Sequence, residues 1–375
     1  MLRPTLVLAA AALAAAGVEG VMRPGLLPAG LGRAWPPFTL VAGLWVIGRM
    51  SARDGLFDAC GAWLARAPGP PLIMFVALEA LVAAVTALLN LDTAVLFLTP
   101  VVLAAARARG LPARPFVYGA VLMANSASLL LPGSNLTNLL VLGGHVGGPA
   151  FAGGMALPWL AATAITTAVV AVAHRRDLGV PAAPPPPAAR PRLRLGSGCL
   201  GTALAALAVV FTPQPALPVL AVALALASWR ILRRGPGERA LLAPSMLAAT
   251  FPLFALTVVV GGLASAWALP SSLLAHAGAW ETAAAGAGIA VAINNLPAAT
   301  LLGAHPAANP AALLVGLDLG PNLAVTGSLS AVLWMRVARE CGAEVSPAAY
   351  SRLGIAVALP AMAAATGLTL LSWPL

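Results

Sequence analysis

Apolar runs separated by short polar or Gly/Pro-rich breaks recur along the whole chain, at residues 6–21, 38–48, 72–89, 94–106, 116–142, 156–173, 199–211, 217–232, 247–269, 282–293, 298–304, 311–335 and 353–371. About 20 apolar residues cross a bilayer as helix, and no run shows the period-two alternation of a strand. The pattern predicts an all-α polytopic membrane protein. Residues 6–21 read as a first helix, although a cleavable signal peptide has the same pattern. Residues 23–35 read as a Gly/Pro loop, and residues 143–154 as a Gly-rich loop. Residues 51–67 mix Arg53, Asp54, Asp58 and Arg66 with Phe57, Trp63 and Leu64, an amphipathic stretch suited to the membrane surface.

Two runs are interrupted in the middle. Residues 126–138 carry Pro132, Gly133 and the polar cluster Ser134, Asn135 and Thr137, and residues 316–330 carry Gly320, Pro321, Asn322, Thr326 and Ser328. Proline removes a backbone donor and glycine favours non-helical conformations, so neither segment can be regular helix throughout. Backbone groups freed at membrane depth survive only where they line a protein-buried or watery cavity, which makes each break a candidate binding site. Two further stretches read as arm, polar tip, arm. The first tip is Asn90-Leu91-Asp92-Thr93 and the second is Asn294-Asn295-Leu296-Pro297. Arg66 before the first pair of arms and Arg107, Arg109 and Arg114 after it place both bases on one side, as in a re-entrant hairpin whose tip lies near midplane.

Only 9% of the 375 residues are charged while 60% are hydrophobic, far from the roughly 25% charged of soluble domains. All 21 basic residues are arginine. The net charge of +10 therefore sets orientation and implies no nucleic-acid partner. With the amino terminus cytoplasmic, every arginine except Arg23 and Arg33 falls inside. The predicted organisation is a first transmembrane repeat at 1–174, a cytoplasmic Pro/Arg-rich linker at 175–197, and a second repeat of opposite orientation at 198–375. Each repeat holds one re-entrant hairpin and one broken helix. The expected location is the cell (inner or plasma) membrane.

Without lysine the chain has no GxxxxGK[ST] loop for ATP. Its three cysteines form no CxxC, and HExxH and GxSxG are missing, so neither an enzyme, a metal site nor a cofactor is expected. The candidate substrate-binding residues are Asn90, Thr93, Ser134, Asn135, Thr137, Asn294, Asn295, Asn322, Thr326 and Ser328. Amides and hydroxyls offer neutral donors and acceptors, and half-helix ends add partial charge. A charged aspartate at the bilayer centre costs about 2.5 to 3.5 kcal/mol on the insertion scale, which makes Asp92 and Asp318 the candidates for proton or ion coupling. No arginine lies within a span except Arg230 at the end of 217–232, so the site is neutral to acidic.

Four motifs carry a resemblance: Asn90 to Pro100, Asn125 to Asn138 with Leu-Pro-Gly-Ser-Asn-Leu-Thr-Asn, Asn294 to Pro297, and Leu317 to Asn322 followed by Thr326-Gly327-Ser328-Leu329. In this order they resemble the arsenical pump membrane protein (ArsB-type) family of the ion transporter superfamily. The resemblance implies export of arsenite or antimonite in exchange for protons, alone or with a separate arsenite-stimulated ATPase subunit, and a possible homodimer. Leu91 stands where the family usually has a second asparagine, and the first half is one helix short. Sodium/proton antiport by another permease of the superfamily is the alternative, with dicarboxylate symport and a passive channel behind it.

Overall fold

The computed structural model describes residues 25–66, 69–142, 147–184, 195–212, 214–242, 245–267 and 269–373. The run at 6–21 and residues 185–194 of the linker expected at 175–197 lie outside these residues. The described residues form helices and turns with no strand: α1 (Leu26–Arg53), α2 (Leu56–Arg66), α3 (Pro71–Leu88), α4 (Leu91–Ala108), α5 (Ala113–Ala127), α6 (Leu136–Leu142), α7 (Gly148–Ala173), α8 (Ser197–Phe211), α9 (Ala216–Arg234), α10 (Ser245–Ala266), α11 (Leu269–Leu274), α12 (Ala279–Ile293), α13 (Asn295–Leu302), α14 (Pro310–Leu319), α15 (Leu329–Glu340) and α16 (Pro347–Ser372). Five of these, α3, α4, α7, α9 and α16, are long and apolar enough to cross a membrane.

Both interrupted runs break where the sequence places proline. After α5 the chain makes a 3₁₀ turn at Pro132–Ser134 and then an extended residue, Asn135, before α6. After α14 it makes 3₁₀ turns at Gly320–Leu323 and Val325–Gly327, then the extended Ser328, before α15. The polar tips also form as expected, joining α3 to α4 and α12 to α13. Asn90 (φ 144°) and Asn294 (φ 77°) are the only non-glycine residues with positive φ among those described. Asparagine tolerates this region better than most residues because its short amide can bond the nearby backbone.

Two expectations were wrong. Residues 26–35 are not loop but the first turns of α1, with Pro36 and Pro37 inside the helix. Packing overrides the local breakers: a Cβ on Gly30 would lie 2.1 Å from the Val258 carbonyl oxygen, so glycine is what lets α1 lie directly on α10. Residues 148–154 are likewise helical, because α7 begins at Gly148. There a Cβ would come within 2.4 Å of the Val210 carbonyl oxygen, and the glycine admits close contact with α8.

Like elements meet across the molecule. α1 packs on α10 and α7 on α16. α3 packs on α5 and α12 on α14, while α4 reaches across to α15 and α13 to α6. The arginine-bearing ends gather at one pole. Arg230 pairs with Asp54 at 2.7 Å and with Glu238 at 2.9 Å, Arg53 also pairs with Glu238, and Asp54 accepts the Gly198 N–H. Arg109 donates to the Ala65 and Ala183 carbonyls, and Arg107 donates to the Cys341 carbonyl. Arg33 bonds the Ala304 carbonyl, joining the start of α1 to the end of the second tip's outer arm.

Candidate functional site

Four helix amino ends are capped by residues that the sequence singles out. Asn90 Oδ1 accepts from Thr93 N at the start of α4, and Asn294 Oδ1 from Leu296 N at the start of α13. Asn135 Oδ1 accepts from Thr137 N at the start of α6, and Ser328 Oγ from Ala331 N at the start of α15. An amino end exposes unsatisfied N–H groups and carries roughly half a positive charge, and a short polar cap satisfies only part of it. The tips and breaks therefore use one device four times.

The breaks bond to each other. Asp318, at the end of α14 and fully buried, accepts at Oδ1 from Asn135 Nδ2 (3.0 Å) and from Thr137 Oγ1 (2.5 Å). Asn322 Oδ1 accepts from Asn125 Nδ2 at 2.8 Å, and Asn322 Nδ2 donates to the Leu122 carbonyl and to Ser126 Oγ. Tyr350 from α16 bonds both Asn125 and the Pro321 carbonyl. A Cβ at Gly354 would lie 1.8 Å from the Asn322 carbonyl oxygen, so α16 can hold the second break this tightly only with glycine there.

The tips join the second break. Asp92, in the first turn of α4 and 8% exposed, accepts from Ser330 Oγ at 2.5 Å. A carboxylate there faces the favourable end of the helix dipole. Asn294 Nδ2 donates to the Thr326 carbonyl, and Thr326 Oγ1 donates back to the Val291 carbonyl. Asp92 and Asp318 thus belong to separate networks. Asn90 and Thr93 are buried on either side of Asp92 in the chain and Asn295 is buried at the second tip, whereas Thr326 is exposed.

Counting partners divides the expected residues by role. Ser134 Oγ lies 2.5 Å from both the Ser128 and Leu131 carbonyls, and its single proton is spent inside its own turn. Asn322 has its acceptor and both amide protons engaged within the protein. By contrast, Asp318 Oδ2, Thr93 Oγ1, Asn125 Oδ1 and Asn138 Oδ1 are buried with no hydrogen-bond partner among the described residues. Buried polar atoms are nearly always paired, so these four oxygens, at the first tip and around the breaks, are candidates to meet a solute or ion; Glu79 Oε2, Thr86 Oγ1 and Thr366 Oγ1 are unpaired within helices elsewhere. Local sequence reasoning left out Asn125, Ser128, Ser330 and Tyr350 as site residues. Tyr350 is one of only two tyrosines in the chain, a rarity that could have marked it.

Known proteins resemble this chain over most of its length. A family model described as "Citrate transporter", CitMHS, matches residues 1–326. Relatives named arsenical pump membrane protein include one from Yersinia enterocolitica, 26% identical over 383 residues, and one from Escherichia coli K12, 28% identical over 387 residues. Each covers 92% of this chain and 88% of the relative. The motif resemblance is thus met by proteins that bear that name. Among solved structures, the YdaH transporter of Alcanivorax borkumensis, described as having an unusual topology, aligns with a TM-score of 0.58 at 14% identity, covering 94% of this chain and 88% of that one. That likeness speaks for the fold alone. With a family match over most of its length and several apolar helices, this chain is a multi-pass membrane transporter and belongs to the CitMHS citrate transporter family.

Proposed function

We propose that this protein is a secondary active transporter that exports arsenite or antimonite in exchange for protons, by alternating access between two inverted repeats. The observation that carries the reading is the union of the two helix breaks through Asn135 and Thr137 on Asp318 and Asn125 on Asn322, with unpaired oxygens left beside them. Arsenite at neutral pH is an uncharged trihydroxide. Its hydroxyls can donate to Asp318 Oδ2, Asn125 Oδ1 and Asn138 Oδ1, and its lone pairs suit the helix amino ends.

Residues 90–93, 126–138, 294–297 and 316–330 contain no arginine, so a citrate-like anion would meet no fixed cation in these segments. They contain no cysteine either, and thiolates would hold arsenic too firmly for turnover. Element order supports the repeats: long helix, short helix, two-armed hairpin, broken helix and long helix occur as α1–α7 and again as α10–α16. The burial of Asn90 and Thr93 favours a re-entrant hairpin over two crossings joined at a surface, although an arm of 18 residues, about 27 Å, could cross. The gathering of arginines at one pole supports a cytoplasmic reading of that pole, and with residues 6–21 read as a crossing helix the amino terminus is cytoplasmic too.

A second reading has one observation in its favour. Asp318 Oδ2 and the side-chain Oδ1 atoms of Asn125 and Asn138 are hard oxygen donors left without a hydrogen-bond partner, a chemistry that would suit sodium in a sodium/proton antiporter. Everted vesicles under an imposed pH gradient separate the two. Arsenite accumulation without sodium movement supports export of arsenite, and sodium movement without arsenite accumulation replaces it with the antiporter.

A further inference from the structure

A cavity of about 1020 Å³ opens at the arginine-rich pole, away from the helix breaks, between the amino ends of α5 and α16 and the carboxyl ends of α7 and α15. Two amino and two carboxyl ends meet there, so the helix dipoles offset one another and side chains decide the sign. Arg114, Arg339 and Arg352 line the cavity, and none of the three has a carboxylate partner among the described residues. Arg339 and Arg352 bond only backbone carbonyls, those of Val345 and Ala348. The cavity's one carboxylate on its own lining is the exposed Glu344, and His174 is already bonded to Asp177.

Part of the lining is apolar, formed by Ala173 from α7 and by Leu353 and Ala356 from α16. Outward-facing Val172, Ile355 and Leu359 continue the same two helices as exposed apolar surface. Guanidiniums above an apolar wall that runs on into lipid-facing helix match an amphiphile with an anionic head. We infer that this cavity binds the phosphate headgroup of an anionic phospholipid, its acyl chains lying along α7 and α16. Arginine suits phosphate because its planar donors pair with two oxygens at once, and basic pockets between transmembrane helices recognise such headgroups. The inference rests on the transmembrane reading of α7 and α16 and not on the identity of the transported solute.

The test uses the purified full-length protein in detergent and reads lipid binding by native mass spectrometry and thermal unfolding. Phosphatidylglycerol, phosphatidylcholine and inorganic phosphate are added separately. Phosphatidylglycerol should bind and raise the melting temperature more than phosphatidylcholine. Arg114→Gln, Arg339→Gln and Arg352→Gln should each weaken phosphatidylglycerol binding about tenfold, the fold-change of one charge-assisted hydrogen bond. Arg233→Gln, an exposed arginine on α9 outside the cavity, should leave it unchanged. Unchanged lipid preference in all three variants, or an equal loss in Arg233→Gln, overturns the site. A stabilisation by inorganic phosphate equal to that by phosphatidylglycerol overturns the lipid as its source. No arm measures transport, so a negative result leaves the transport reading where it stood.

Discussion

Replacing Asp318 by asparagine separates what its two oxygens do. Oδ1 accepts from Asn135 and Thr137, and an asparagine carbonyl can keep both bonds. Oδ2 has no partner, so the new amino group adds one buried, unsatisfied donor, a cost of about 1 to 3 kcal/mol. Alanine would instead strand the Thr137 hydroxyl and one Asn135 proton and leave a cavity, roughly doubling that cost. Asp318→Asn should therefore fold, with a modestly lowered melting temperature in detergent. Its transport should change in kind: a pH gradient should no longer drive accumulation, while downhill solute exchange persists, because an amide cannot alternate between carrying and releasing a proton. Asp92→Asn runs the same comparison for the other carboxyl, whose Oδ1 accepts from Ser330. Loss of gradient-driven uptake in one variant alone assigns coupling to that residue. Retention in both refutes carboxylate coupling and points to a channel or an externally powered pump.

Asn135→Ala should abolish most transport while leaving the protein folded, and Asn322→Ala should lose transport together with about 1 to 4 kcal/mol of stability, since three hydrogen bonds go with its amide; unfolding in detergent alongside uptake assays checks both. Gly354→Ala should displace the second break and reduce transport, because its new Cβ meets the Asn322 carbonyl; normal uptake would contradict that contact. Asp54→Ala should cost about 3 to 5 kcal/mol by leaving Arg230 buried without its closest carboxylate, measured by thermal unfolding. Burial raises the Glu238 pKa, but hydrogen bonds and charge from Arg53 and Arg230 outweigh it and hold the folded value below 4.5. A depressed carboxyl stabilises the fold above its unfolded pKa and loses that contribution as pH falls through the folded value, so Glu238→Gln should flatten the loss of stability below about pH 4.5.

The helix breaks were legible because proline, glycine and small polar residues fall together inside apolar runs: Pro132 and Pro321 each lie at the start of the 3₁₀ turns of a break. The tips were legible because asparagine and aspartate are rare and costly within apolar runs. Local rules failed where a neighbour decides the outcome. Gly30 and Gly148 read as loop residues until α10 and the end of α8 are placed against them, and Pro36-Pro37 sits inside a helix held by that packing. The partners of the site were illegible for a related reason. Asn125 and Asn322, Asp92 and Ser330, and Asn125 and Tyr350 stand 197, 238 and 225 residues apart, and no periodicity reports contacts across such separations. Nor could spacing show that Ser134 spends its hydroxyl within its own turn while Asp318 keeps one oxygen unpaired.

On the proposed function, the joined breaks carry a neutral oxygen-rich solute against a proton, an exchange that sealed vesicles report. Its most direct measurement is uptake of arsenite, citrate and sodium into everted membrane vesicles holding the wild-type protein, with and without an imposed pH gradient. Arsenite accumulating only when the gradient is present, while citrate and sodium do not move, is the predicted result. Gradient-driven movement of citrate or sodium with no accumulation of arsenite would contradict it.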